Sequence, residues 1–242
     1  PPATTDVIDS ELQDASGYNF DLGYRGNIGA FLNFDVSYFR LNYADRIGTI
    51  TETAEDGSRY QFRTNLGTSV SQGFEGFLEF DPITAFVGNS NFGYIHLFAS
   101  LAFIHAEYQD FERTSIVNGE IVSSNLAGNR VENAPRKINR FGATYRYKDF
   151  SMTWQLSDIG EAFSDASNSV EPNENATSGL IPGYQVQDLS AAYTYKRKYS
   201  LKTGINNLAN ESYFTRRAGG YPGPGIMPAD GRTFYLTFGI KL

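Results

Sequence analysis

The chain has 242 residues, a net charge of −7 at pH 7, no cysteine, and aromatic residues at 15% of the sequence. The lack of cysteine excludes disulfides and cysteine-ligated metals, and the acidic balance argues against a nucleic-acid partner, which usually needs a basic face. With 24 glycines and only 19% charged residues, the composition is typical of strands and turns rather than of helices or disorder. No apolar run is long enough for a transmembrane helix.

Alternation of apolar and polar residues predicts about nine β-strands. Several reach the roughly 9–11 residues with which a tilted strand crosses a bilayer. A change of phase at Tyr38 and Phe39 predicts a β-bulge there, and residues 92–108 give no register because both parities are apolar. In chain order the predicted strands occupy residues 18–25, 32–43, 74–80, 92–108, 141–147, 150–156, 189–195, 199–205 and 234–242.

The links between these strands alternate strictly between short and long. The short links are 26–29, 81–91, 148–149 and 196–198, and the long, polar links are about 44–59, 109–131, 157–183 and 209–231. Outer-membrane barrels show this asymmetry, with short turns on the periplasmic side and long loops outside. Acidic residues such as Asp35 and Glu75 fall on the parity opposite the aromatics, which suits a polar barrel lumen. It would equally suit the solvent face of a soluble β-sandwich.

An odd number of antiparallel strands does not close a bacterial barrel, because single-chain barrels have an even number. We therefore expect the chain to be part of a larger barrel whose N-terminal portion precedes this sequence. If the C-terminus is periplasmic, residues 1–17 lie outside the cell. The prediction is an all-β, antiparallel transmembrane β-barrel fragment.

Four motifs follow one another along the chain. They are Thr64-Asn65-Leu66-Gly67 with Gly73-Phe74-Glu75-Gly76, Asn133-Ala134-Pro135-Arg136, Ile205-Asn206-Asn207-Leu208 with Asn210 and Tyr213, and Tyr221-Pro222-Gly223-Pro224-Gly225 with Gly231-Arg232 and the last strand. In this order they resemble the C-terminal part of TonB-dependent outer-membrane receptors, and most of all the ferric-citrate-receptor-like branch. The resemblance covers nearly the whole chain from about residue 18 onward, and the final strand departs from it by ending in Leu242, where family members commonly end in Phe.

The resemblance implies that residues 1–242 form about the last nine strands of a plugged barrel of about 22 strands, with the plug and first strands absent. It implies an active transport receptor of the bacterial outer membrane for a ferric chelate, ferric citrate or another siderophore, energised through TonB. The expected partners are outer-membrane lipid, the chelate, TonB through the N-terminal region and the barrel insertion machinery. No catalysis and no cofactor are expected, since iron enters only within the transported chelate.

Five residues are candidates for binding the chelate at external loops. Paired guanidiniums at Arg216 and Arg217, beside Tyr221, could hold an anion by charge-assisted hydrogen bonds, and Arg113 and Arg130 lie in or beside another external loop. The alternative for each arginine is a solvated charge or an ion pair between loops. His96 and His105 are nine residues apart on one predicted strand, so they should face opposite sides and share no metal.

The last strand carries a row of apolar residues that the resemblance interprets as a signal read by the insertion machinery. The alternative is that the row is simply a lipid-facing strand. Its members are Phe234, Leu236, Phe238, Ile240 and Leu242.

Two other functions remain open at this point. A soluble all-β module that binds a carbohydrate or another ligand would share the alternation, although a sandwich has no reason to place its long loops at one end. A passive porin would share the barrel but not the terminal motifs.

Overall fold

The computed structural model describes residues 6–53, 59–117, 120–218 and 224–241. In chain order the elements are β1 (Asp6–Ile8), β2 (Ser16–Ile28), β3 (Leu32–Ala44), β4 (Ile47–Thr53), β5 (Arg59–Asn65), β6 (Gly67–Phe80), α1 (Pro82–Phe86), β7 (Tyr94–Val117), β8 (Glu120–Asn125), β9 (Lys137–Tyr147), β10 (Phe150–Ile159), β11 (Ala162–Phe163), β12 (Leu180–Ile181), β13 (Tyr184–Tyr195), β14 (Tyr199–Asn206), β15 (Phe214–Ala218), β16 (Gly225–Pro228) and β17 (Thr233–Ile240).

Nine of these strands form one continuous antiparallel wall within the described residues. Its order is β2-β3-β6-β7-β9-β10-β13-β14-β17, so each strand lies beside its neighbour in the series of nine that the sequence predicts. The predicted all-β, antiparallel architecture is therefore confirmed. β2 and β17 are the two edges of the wall.

The wall has one apolar face and one polar face. Directly opposed residues project to the same face, and one such row across all nine strands is apolar throughout: Ile28, Leu32, Phe80, Leu97, Ala143, Trp154, Leu189, Ile205 and Phe234. The adjacent row, which projects to the opposite face, is mostly polar: Asn27, Asn33, Glu79, Phe98, Gly142, Gln155 and Asp188.

The strands of the wall are tilted. The apolar row starts at Ile28, the last residue of β2 before a short turn, and ends at Phe234, the second residue of β17 after a long link. A row perpendicular to the strands thus passes from one end of the wall to the other. Barrel closure requires this kind of stagger.

No apolar core lies beneath the wall in the described part of the chain. The buried hydrophobic residues all lie within the long links or in the parts of strands next to them, and they are Val70, Ala106, Tyr108, Phe111, Leu126, Ala162, Ile181 and Val186. The apolar row is instead exposed at its two edges, as Ile28 at 53% and Phe234 at 71% illustrate. A β-sandwich would bury that row against a second sheet, so the soluble sandwich is excluded as the fold.

Two expectations about regularity are wrong. The pairing of β3 with both neighbours runs unbroken through Tyr38 and Phe39, so there is no bulge there. The alternation of apolar residues changes parity at this point because the half of β3 next to the long link carries its apolar residues on the opposite face of the wall. A register shift occurs instead between Thr68 and Ser69, opposite β7.

The long links contain more structure than the alternation predicts. β7 continues to Val117, well past residue 108, and pairs with β8 as a hairpin beyond the wall. β4, β5 and β1 form a separate three-stranded sheet, in which β1 and β5 are parallel. None of the helices in the described residues has the length and apolar character needed to cross a membrane.

Candidate functional site

The four long links of the wall meet at one end and contact each other there. We number them as the first (residues 45–66), the second (109–136), the third (160–183) and the fourth (207–232). Asn129 donates to the carbonyl of Ala166 at 3.0 Å, and the amide of Asn133 donates to the carbonyl of Phe163 at 2.7 Å. These bonds join the second link to the third, so the links form one connected surface.

A polar triad fastens the first and second links to the wall. Arg46 donates to the hydroxyl of Tyr108 at 2.7 Å and to Glu132 at 2.9 Å, while the Tyr108 hydroxyl also donates to Glu132. Tyr108 is 1% exposed and packs against Phe111, with ring centroids 4.3 Å apart. No local sequence pattern predicts this triad, because its members lie far apart in the chain.

The surroundings of Glu132 within the triad keep its carboxylate ionised near neutral pH. Burial works to raise the pKa of Glu132, but the hydrogen bond from Tyr108 and the charge of Arg46 outweigh it, so the pKa is lowered. The carboxylate therefore remains ionised.

Arg130 fastens the second link to the third. Its guanidinium donates to the carbonyl of Glu161 at 3.0 Å, lies 3.4 Å from the carboxylate of the same residue, and stacks over Phe163 at 5.1 Å. Only 11% of its side chain is exposed. These contacts correspond to the ion pair between loops that the sequence left open as an alternative to chelate binding.

Arg217 fastens the fourth link to the third. Its guanidinium donates to the carbonyls of Ala176 at 3.1 Å and Leu180 at 2.9 Å and stacks over Phe214 at 5.0 Å. Its Nε atom is buried and has no hydrogen-bond partner among the described residues.

Arg216, the neighbour of Arg217 on β15, is exposed. It has no hydrogen bond or ion pair to another described side chain. The two arginines of the pair thus lie in different environments, with Arg216 exposed and Arg217 partly buried. The structure describes Arg113 as part of β7, but its side chain and the whole of Tyr221 lie outside the described residues.

Asn207, from the third motif, anchors the base of the fourth link. Its side-chain amide donates to the carbonyls of Glu211 and Asp230 at 2.8 and 3.2 Å and accepts from the amide of Glu211 at 2.7 Å. Its own backbone amide donates to Asp188 at 2.9 Å, and its φ of 52° is one that asparagine tolerates better than most residues. This motif residue therefore shapes the fourth link.

The two histidines lie on opposite faces of β7, as predicted. His96 is paired with Thr144 and His105 with Gln72, in an unbroken register. Within the described residues no three His, Asp or Glu side chains are grouped closely enough to hold a metal ion.

The last strand presents its apolar residues on the outward face of the wall. Phe234, Leu236, Phe238 and Ile240 are all more than half exposed. Their opposed residues on β14 are Ile205, Thr203, Leu201 and Tyr199. Leu242 lies outside the described residues.

A tilted, one-sheet wall with an apolar outer face and long links at one end defines a membrane β-barrel fragment. Residues 2–208 match the family model described as TonB dependent receptor-like, beta-barrel. The chain therefore belongs to the TonB-dependent receptor β-barrel family, whose barrels lie in the bacterial outer membrane.

Solved structures of similar fold are described as receptors or transporters. The unliganded ferric citrate transporter FecA has a TM-score of 0.72 at 20% identity over 92% of this chain and 30% of that one. The siderophore receptor PiuA from Acinetobacter baumannii has a TM-score of 0.68 at 20% identity, with coverages of 92% and 28%. The copper transporter OprC has a TM-score of 0.65 at 18% identity, with coverages of 96% and 32%. The chain thus spans about a third of the structures that it matches.

Proposed function

We propose that this chain is the C-terminal part of an outer-membrane receptor that actively takes up a ferric chelate, energised through TonB. The observation that carries the proposal is the family match over the tilted wall. In this reading the long links form part of the external face that meets the chelate, and the polar face of the wall lines the lumen. The receptor catalyses no chemistry, and iron is cargo rather than cofactor.

Ferric citrate or another siderophore is the proposed cargo. The likeness to FecA supports citrate, and the likeness to PiuA supports a siderophore. The likeness to OprC keeps copper open as a competing cargo. At identities of 20% and below these likenesses are shared fold, so the choice rests on the external links rather than on the barrel.

A passive porin is the second candidate for the whole molecule. A porin would have a wall of the same kind but would let solutes diffuse through it without energy from TonB. The family match is the observation that disfavours it.

Arg216 is the residue of the external links that we propose to contact the chelate. Its guanidinium is exposed and unpaired among the described residues, whereas those of Arg130 and Arg217 are engaged in loop contacts. Charge-assisted hydrogen bonds to an anionic chelate are worth about 1.5–3 kcal/mol, so Arg216→Ala should weaken binding by about tenfold or more.

The test is binding of ferric citrate and of other ferric siderophores to the complete receptor by isothermal titration. Arg216→Lys should retain part of the affinity, because it keeps the charge but not the bidentate geometry. Lys148→Ala, in a short turn at the other end of the wall, is the matched control and should bind normally. Unchanged affinity of Arg216→Ala for every chelate bound by the native receptor would remove Arg216 from the site without affecting the family assignment.

A further inference from the structure

The polar face of the wall carries a column of three arginines along β9. Arg140 and Arg146 have the same parity as Gly142 of the polar row, so they project to that face. Arg136 extends the column beyond the strand, because its carbonyl accepts from the amide of Ile104 at 2.9 Å and continues the register of β7 with β9. At about 3.3 Å per residue the column is about 33 Å long. It reaches from the second link to the short turn that follows β9.

The arginines of this column have no carboxylate partner within the described residues. All three are exposed, and the ion pairs of the described chain involve other cations, among them Lys137 on the opposite face of β9. The wall part of β7 places no carboxylate on the polar face, and His96 there lies 3.9 Å from Glu79 of β6. The neighbouring residues of β10 on this face are uncharged, and they are Ser151, Thr153, Gln155, Ser157 and Ile159.

The carboxylates of the polar face lie on other strands. β2, β3 and β6 carry Asp21, Asp35, Glu75 and Glu79 on this face, and we call these four the carboxylate sector. Arg25, on β2, is directly opposite Asp35 and so balances part of that charge. Positive and negative charges are therefore separated around the polar face. Contact with water alone would not require this separation.

We propose that Arg136, Arg140 and Arg146 form a cationic track along which an anionic ferric chelate passes from the external links towards the periplasmic end of the lumen. The track rests on the proposed function, in which the polar face lines the lumen. Arginines on a pore wall select anions, and a cleft lined by one sign of charge concentrates the counter-ion. Spacings of about 13 and 20 Å between the arginines provide successive weak sites, which passage requires. Such a track favours a negatively charged chelate over a free copper ion.

The test separates passage from binding in the complete receptor, with labelled ferric citrate and other ferric siderophores as probes. Arg140→Gln with Arg146→Gln should lower the maximal TonB-dependent uptake rate about tenfold and leave the affinity measured by isothermal titration at the native value. Arg140→Lys with Arg146→Lys should retain most of the uptake, because a track needs the charge more than the bidentate geometry. Lys196→Gln with Arg197→Gln, exposed in a short turn, is the matched control and should take up the chelate at the native rate.

Two results with the glutamine variant would overturn the track. One is uptake at the native rate. The other is a loss of uptake together with weaker binding or a lower thermal unfolding midpoint, because the arginines would then hold the bound chelate or the plug in place. If the native receptor itself showed no TonB-dependent uptake of any probe, the proposed function would fail and the track with it, so the two failures are distinguishable.

A second pair of variants keeps the test decisive if the double variant does not assemble. Gln155 is directly opposite Gly142, at a level between Arg140 and Arg146, and Gln155→Glu adds a carboxylate there with little change of shape. Asn33→Asp adds the same charge in the same row beside the carboxylate sector and is the matched control. The track predicts uptake several-fold slower for Gln155→Glu than for Asn33→Asp, and equal rates would overturn it.

Discussion

Glu132 accepts hydrogen bonds from both Arg46 and Tyr108 and so ties the second link to the first link and to the wall. Glu132→Gln removes the counter-charge of Arg46 in a half-buried site. We expect the opening free energy of residues 126–136 to fall by about 1–2 kcal/mol, measured by hydrogen exchange on the complete receptor. Glu161→Gln is the control. It removes the ion pair with Arg130, but the Glu161 side chain is 56% exposed, so the opening free energy should fall by about 0.5 kcal/mol or less.

The effect of Glu132 depends on pH in a defined direction. The pKa of Glu132 is lowered below its ordinary value of 4.5, so the folded state favours the ionised carboxylate. This stabilisation is fully present above pH 4.5 and is lost as the pH falls through the folded pKa. The difference between the native receptor and Glu132→Gln should therefore be constant at neutral pH and shrink below pH 4.5, and a difference that grew on acidification would contradict the assignment.

Asn207 offers a second test at the residue scale. Asn207→Ala removes three partly buried hydrogen bonds to the backbone of Glu211 and Asp230 and keeps a positive φ. We expect a loss of about 2–3 kcal/mol in the free energy of unfolding by urea. Asn207→Gly should be about 1 kcal/mol more stable than Asn207→Ala, because glycine removes the cost of the positive φ but not the loss of the hydrogen bonds. The control is Asn206→Ala at an exposed position, which should change the free energy of unfolding by about 0.5 kcal/mol or less. Equal effects of Asn206→Ala and Asn207→Ala would show that Asn207 is not an anchor.

The sequence could predict which residues carry charge at the links but not what each charge contacts. Arg216 and Arg217 are adjacent and chemically identical, yet one is exposed and the other stacks on Phe214 and binds carbonyls of the third link. Contacts of this kind join residues about 40 positions apart, and no local pattern encodes them. The Arg46–Tyr108–Glu132 triad was missed for the same reason.

At the scale of elements, β17 tests whether the terminal row is an assembly signal or only a lipid-facing strand. Phe238 on β17 and Phe74 on β6 are both outward-facing and are 63% and 64% exposed. If the row is a signal, Phe238→Ser should reduce the amount of receptor assembled in the outer membrane several-fold more than Phe74→Ser does. The measurement is heat-modifiable receptor in isolated outer membranes, and equal loss from the two variants would leave β17 as a lipid-facing strand alone.

Strands were predictable where one face is apolar and the other polar. The hairpin of β9 and β10 around Lys148 and Asp149 shows this, since both strands alternate cleanly and the turn is two residues long. The end of β7 was not predictable, because residues 92–108 are apolar on both parities and the strand then continues beyond the wall into a hairpin with β8. Short strands such as β11 and β12 depend on partners within the link.

At the scale of the whole molecule, the tilt of the wall separates a barrel from a sandwich, which periodicity does not. The alternation of Leu22 and Tyr24 with Gly23 and Arg25 fits either architecture. Only the register across all nine strands reveals the stagger, and only the burial shows that nothing packs beneath the apolar row. In the described wall, β2 and β17 each lack a neighbouring strand on one side. The stability of the wall should therefore be measured on the complete receptor.

The most direct test of the central claim is uptake of labelled ferric citrate, and of other ferric siderophores, by cells that produce the complete receptor, with and without TonB. An energised receptor predicts saturable uptake of at least one ferric chelate that is abolished when TonB is deleted. Uptake that persists unchanged without TonB would contradict the account and indicate a passive channel.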